Sequence, residues 1–438
     1  MKITNVRTPN QISAKQIIIL LLVPTLLSPF TVFTQTVKSP LVMQQALEQK
    51  NYFLLNDYYQ RDSTLLSEEQ QSYYKAFLLN AFNNCLASNA QIKKLIKTSA
   101  KFPDSLYVKL FMLKQDNEVK TFQYREAAET GELLLHQYRN SMTKEELADL
   151  INSNKIWTAL EKTPPQTVAK HNTTISWQRD KADLLNIPVT INNTTDEFIF
   201  DTGANFSTIS KSNADRLGLE ILPVSFDVDG ASKSNKSSLA IGKSVKLGDI
   251  EFKNVVFLVI PDEQLSFPQI DYKIEGILGY PVISQLDEIH IMQQSKQMLI
   301  RTAPTEVVAP NLAMDNLTPI VLVKVNDQSL PFYFDTGAKS SYFNSSYFNH
   351  SRAEIIKNGR QDSLLLGGAG GARKNNSFLV KNYMLQIGNN KVQMPKMHVM
   401  TTKNNLNDEK AYGTIGQDFI SQFSEMIISF KSMILNFK

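Results

Sequence analysis

The hydrophobic period changes once along the chain. Over residues 40–160 apolar side chains recur three and four apart, as in Leu47, Tyr52, Leu55 and Tyr59, then Tyr74, Phe77, Leu78 and Phe82, then Ile92, Leu95 and Ile96. That spacing predicts amphipathic helices with one face toward a core. Two more helices are predicted over 124–138 and 143–160, the second opened by a capping box of Thr143 and Glu146. Gly131 is the single glycine of this region. Beyond it Pro164 and Pro165 mark a stiff linker. The period then becomes two, which predicts strands over 187–191, 198–200, 245–247 and 255–260. Residues 301–316, with Pro304 and Pro310, read as a second connection. Strands resume over 319–325, 332–334, 378–387 and 394–400.

The strand region repeats itself. Phe198-Ile-Phe-Asp201-Thr-Gly203-Ala204 has a second copy in Phe332-Tyr-Phe-Asp335-Thr-Gly337-Ala338. Gly276 follows Asp201 by 75 residues and opens Gly276-Ile-Leu-Gly279; Gly413 follows Asp335 by 78 and opens Gly413-Thr-Ile-Gly416. Nine residues past each second glycine stands a glutamate, Glu288 and Glu425, and each leads into an apolar closing run. An internal repeat of this length makes Asp201 and Asp335 equivalent positions in two halves.

These paired motifs resemble the pepsin and retropepsin class of aspartic proteases, and within it the retropepsin-like bacterial type with two lobes in one chain. The resemblance covers about residues 175–438. It implies an all-β bilobal fold, two related barrel-like lobes, preceded by the helical domain. The boundaries are then 1–35 for an export signal, 36–165 for the helices, 166–308 for the first lobe and 309–438 for the second. It implies Asp201 and Asp335 as a catalytic pair, with Thr202 and Thr336 bonding across the lobes and Gly203 and Gly337 shaping the loops. Ile277, Leu278, Thr414 and Ile415 would form an apolar floor. Hairpin flaps fall at Gly230 and Ala231 in one half and at Gly368, Ala369 and Gly370 in the other. Plain hairpin turns are the alternative for both.

Two carboxylates a few ångströms apart cannot both ionise easily, so they share a proton and activate a water without metal or cofactor. The implied activity is peptide-bond hydrolysis on a peptide or protein substrate. The alternatives are a non-catalytic peptide-binding module on the same fold, or a helical-repeat adaptor. Two departures from the resemblance stand out. Pro281 occupies the position of Asp418 in the other half, so a hydrogen bond is expected to be missing there. Neither flap segment carries a tyrosine. The helical hairpins resemble tetratricopeptide-type repeats without a clean consensus. They suit either a protein-docking surface or a packing and spacer domain.

Composition narrows the classes further. The 438 residues include 46 basic and 42 acidic side chains. Lys2, Arg7 and Lys15 lie in the first 35, which hold no acid, so the remainder is 43 against 42. A balanced chain gives no electrostatic case for nucleic acid. The basic start and the apolar run 17–33, broken by Pro24 and Pro29, predict export to the periplasm or exterior. The same segment would be a membrane anchor if uncleaved. Cys85 is the one cysteine, which excludes an intramolecular disulfide and reads as a small buried apolar residue. Pairing of lobes within one chain requires no dimer. No His-Glu-x-x-His or Gly-x-Ser-x-Gly motif offers a rival chemistry.

Overall fold

The computed structural model describes residues 38–98, 102–229, 234–304, 309–403 and 410–438. The expected export segment 1–35 and the flap candidates Gly230 and Ala231 lie outside these residues. The first described elements are helices α1 (Lys38–Glu48), α2 (Tyr52–Asp62), α3 (Glu68–Ala81), α4 (Cys85–Thr98), α5 (Asp104–Lys120), α6 (Tyr124–Gln137) and α7 (Lys144–Leu160). Complete capping boxes start α3, from Ser67 and Gln70, and α7, from Thr143 and Glu146. They satisfy amide groups that a helix start leaves without partners. Gly131 lets α6 approach α7, since a Cβ there would lie 2.0 Å from Asn154 Oδ1. Cys85 is 4% exposed, and burial pushes its thiol up to about 11, as befits a packing residue. Among the described residues no helix is long and apolar enough to cross a membrane.

Two of the sheets share one topology. In the first, Leu185–Ile191 pairs with Thr194–Phe200, which pairs in parallel with Gly276–Leu278. Gly276–Leu278 pairs antiparallel with Ser207–Ser210, which pairs in parallel with Val255–Ile260. The second sheet repeats the order with Thr318–Val325, Gln328–Phe334, Gly413–Ile415, Tyr342–Phe343 and Asn390–Met400. Extra pairings curl each sheet: Thr190 meets Lys246 in the first, and Lys324 meets Gln386 in the second. A third sheet draws strands from both halves, in the order Thr173–Ser176, Gln297–Arg301, Glu288–Met292, Glu425–Ser429 and Ile434–Phe437. Its central register sets Ile289 opposite Ile428. The expected connection 301–316 is shorter than its sequence reading, because Leu312–Asp315 already pairs with Thr318–Val325.

The helices lie against both curled sheets. Met43, Leu47, Leu55, Ile92 and Leu95 share one apolar cluster with Ala313 and Ile320 of the second half. Phe122, Tyr124, Trp157 and Leu160 share another with Ile199, Val256 and Ile277 of the first. Asn152 of α7 exchanges two bonds with the Asp227 backbone, at 2.5 and 3.1 Å. Lys50, between α1 and α2, places its ammonium 2.6 Å from Asp315 Oδ1.

Burial alone would raise the Asp315 carboxyl, but Lys50 outweighs it and holds the group below the ordinary range. A carboxyl depressed on folding stabilises above its unfolded pKa, and that contribution is lost as pH falls through the folded value. Lys50→Met should therefore destabilise by about 2–4 kcal/mol at pH 7 in urea unfolding, with the deficit shrinking in strong acid. Adding Asp315→Leu should recover most of the loss, because no buried charge then lacks its partner.

Candidate active site

Each aspartate stands where a buried strand runs into a tight loop. The Asp201 N–H donates to Leu278 O at 3.0 Å, and the Asp335 N–H to Ile415 O at 3.0 Å. Beyond each, the chain folds back so that the next two amides face the carboxylate. Gly203 and Ala204 N–H donate to Asp201 Oδ1 at 2.8 and 3.0 Å. Gly337 and Ala338 N–H donate to Asp335 Oδ1 at 2.8 and 3.1 Å. Donors of this kind favour the charged form of a carboxyl.

The two loops are tied to each other by their threonines. Thr202 N–H donates to Thr336 Oγ1 at 3.0 Å, and Thr336 N–H to Thr202 Oγ1 at 3.1 Å. Each hydroxyl then donates onward across the interface, Thr202 to Phe334 O at 3.0 Å and Thr336 to Phe200 O at 2.7 Å. Both side chains are fully buried, where leaving such groups unpaired would cost about 1–3 kcal/mol apiece. The lock brings each glycine against the opposite carboxyl. A Cβ on Gly203 would lie 2.6 Å from Asp335 Cγ, and one on Gly337 would lie 2.3 Å from Asp201 Cγ. Glycine is required here by close approach rather than by backbone conformation.

Both aspartates keep some solvent contact, yet protein surrounds the carboxyls closely. Burial pushes Asp201 well up, and the charge of Asp335 and the hydrogen bond between the two add to it. Burial also raises Asp335, against the bond from Asp201 and the Gly337 and Ala338 amides, which pull the other way. The pair therefore holds on to a shared proton at higher pH than separate carboxyls would. Among the described residues no group of three or more His, Cys, Asp and Glu side chains is arranged to hold a metal ion.

Support differs between the halves. Ser341 accepts the Gly416 N–H at 2.9 Å, and its hydroxyl donates to Asp418 at 2.6 Å. In the first half Ser207 accepts the Gly279 N–H at 3.1 Å, but Pro281 stands in place of the aspartate. The linker and the helical region hold this side instead. Gln166 Nε2 donates to Pro281 O at 2.8 Å, and the Tyr280 hydroxyl reaches Asn83 Oδ1 at 3.4 Å. Gln417, in the place of Tyr280, donates to Thr336 O at 2.7 Å and accepts from Arg179 at 3.0 Å. Arg179, Gln417, Tyr280 and Gln166 were not singled out from the sequence, since these partners lie 81 to 238 residues away. Ile277, Leu278, Thr414 and Ile415 are buried in strands paired beside the aspartate strands.

Of the flap candidates, Gly368 ends the strand Arg360–Gly368, and Ala369 and Gly370 turn into Gly371–Ile387. The turn reaches the first half: Gly370 N–H donates to Gln264 O at 3.0 Å, and Ala369 packs in the cluster of Phe267 and Tyr272. The repeated acids Glu288 and Glu425 converge on His290 of the shared sheet, at 2.8 and 2.6 Å from its ring nitrogens.

A carboxyl raised on folding stabilises at low pH, and that contribution is lost as pH rises through the folded value. Asp201→Asn removes the costly second charge. Its melting temperature should exceed that of the parent at pH 8, and the gap should close as pH falls below the folded values. Thermal melts between pH 4 and 8 read this directly; a gap that widens toward acid contradicts the raised pair.

Residues 187–282 match the family model described as aspartyl protease, a stretch that contains Asp201 and the Gly276–Leu278 strand. No curated protein matches the chain. Together with the paired loops, the likeness of this stretch to aspartyl proteases supports a hydrolase of the protease type.

Proposed function

We propose that the chain is an exported aspartic endopeptidase whose two halves act as the lobes of one enzyme, with Asp201 and Asp335 as its catalytic pair. The observation that carries this reading is reciprocal: the glycine of each loop sits against the carboxyl of the other. Only two loops held face to face produce that contact. Export rests on the composition of the first 35 residues, and the repeat-like character of the helices on their hydrophobic spacing.

The chemistry follows from one shared proton. A water between the carboxyls loses its proton to the ionised aspartate and attacks the peptide carbonyl carbon. The protonated aspartate donates a hydrogen bond to the carbonyl oxygen as charge builds there. As the tetrahedral carbon collapses, the C–N bond breaks and the leaving nitrogen takes a proton from the pair. The Thr202–Thr336 lock keeps both carboxyls in register through these steps. Substrate in this scheme is an extended peptide added as a strand, with the Gly368–Gly371 turn as its cover and alternating side chains in apolar subsites.

Asp201→Asn and Asp335→Asn should each abolish cleavage of a peptide library, read by mass spectrometry, while circular dichroism stays unchanged. Wild-type turnover in either variant sinks the mechanism. If both variants bind peptide and the parent never cleaves, the fold serves binding alone.

Ala204 and Ala338 contribute only backbone donors to the pair. A hydroxyl at either position adds a donor that favours the monoanion. Ala204→Ser and Ala338→Ser should therefore move the acid limb of the kcat/KM profile down by about one pH unit, the equivalent of ~1.5 kcal/mol. An acid limb that stays in place or moves up shows that these positions do not set the titration.

A further inference from the structure

We propose that the outer side of the second half carries a binding site for an acidic sugar, separate from the aspartate pair. A cavity of about 570 Å³ opens there between the helix Arg352–Asn358 and the strands Gly371–Ile387 and Asn390–Met400. That volume suits a ligand of one or two sugar rings. Arg360, Lys381 and Lys396 bring three cations to its wall, against the single carboxylate of Glu354.

The cations are arranged at a cost to the fold. Lys381 and Lys396 stand directly opposite each other on neighbouring strands. Like charges in that register are destabilising. Neither lysine side chain has an ion-pair or hydrogen-bond partner among the described residues, although both are exposed at the cavity. Arg360, paired with Leu379 in the ladder, is offset by Asp362 at 3.2 Å. Glu354 is engaged by the Tyr383 hydroxyl at 3.4 Å. An oxyanion between the two lysines relieves their repulsion and turns it into binding energy.

The rest of the lining selects what carries the anion. Asn326, Asn358 and Asn382 bring three amides, each able both to donate and to accept. Asn382 has φ +59°, and the ladder steps from the Lys381–Lys396 pair to Tyr383–Met394 across Pro395, which has no N–H. Irregularities of this kind re-aim side chains at a sheet surface. Amides that both give and take hydrogen bonds match hydroxyls, and the cations match a carboxylate or a phosphate. A uronate and a sugar phosphate share that chemistry.

Calorimetric titration of the full chain at low salt tests this, with galacturonate, glucose 6-phosphate, glucose and inorganic phosphate as probes. At least one acidic sugar should bind about tenfold or more tightly than glucose and than inorganic phosphate. Whichever acidic sugar wins identifies the source of the anion. The double variant Lys381→Ala, Lys396→Ala should lose about tenfold or more of that affinity, and its melting temperature without ligand should hold or rise as the repulsion disappears. Asp201→Asn should bind the sugar as the parent does, so failure of this site and failure of the peptidase reading are distinguishable. Glucose or inorganic phosphate binding as well as the acidic sugars overturns the proposal. So does unchanged affinity in the double variant, or no acidic-sugar binding below ~10 mM.

Discussion

Holding two carboxyls of like charge side by side is the constraint around which the β region is built. The repulsion must be borne by something that does not yield, and the four buried bonds of Thr202 and Thr336 supply it. Each threonine ties its own loop to the strand that delivers the opposite aspartate. Separating the halves would thus leave buried donors and acceptors empty on both sides at once. The same closeness forbids any side chain at Gly203 and Gly337.

The lock would be weak if the sheets behind it could rotate. Two features oppose that. The third sheet joins the closing strands of the two halves edge to edge, so Ile289 and Ile428 pair across the molecule. The helices then bury apolar faces against both curled sheets, with Met43 and Leu55 toward the second half and Trp157 and Leu160 toward the first. Packing against the strands accounts for the burial of these helix faces. Removing the helices would expose Ile199, Ile277 and Ile320 to water.

The repeat is also broken in an instructive way. In the second half Asp418 secures Ser341 and the loop start from within. In the first half Pro281 cannot do so, and its carbonyl is held by Gln166 of the linker while Tyr280 reaches toward Asn83. Asn83 in turn donates to Phe430 O of the second half at 3.1 Å. The second half thus has an internal brace at Asp418 that the first half lacks, and the first takes its brace from the segment that precedes it. The preceding helices and linker have become part of the mounting of the aspartate pair.

The sequence alone determined whatever depends on local pattern and on repetition. The helices expected over 124–138 and 143–160, the strand period, the equivalence of Asp201 and Asp335 and the glycine positions were all legible. Each is written in residues close together or in a second copy of them. The capping box at Thr143 was legible for the same reason. Tertiary structure decided the rest. The bracing by Gln166, Arg179 and Asn83 joins residues more than a hundred apart, and no spacing announces such pairs. The convergence of Glu288 and Glu425 on His290 needed the register of the shared sheet, although the two acids were visible as a repeat. The cross-strand meeting of Lys381 and Lys396 likewise exists only once the ladder is set. Period and repetition specify which face of each element turns inward. Register and packing, which are long-range, specify whom that face meets.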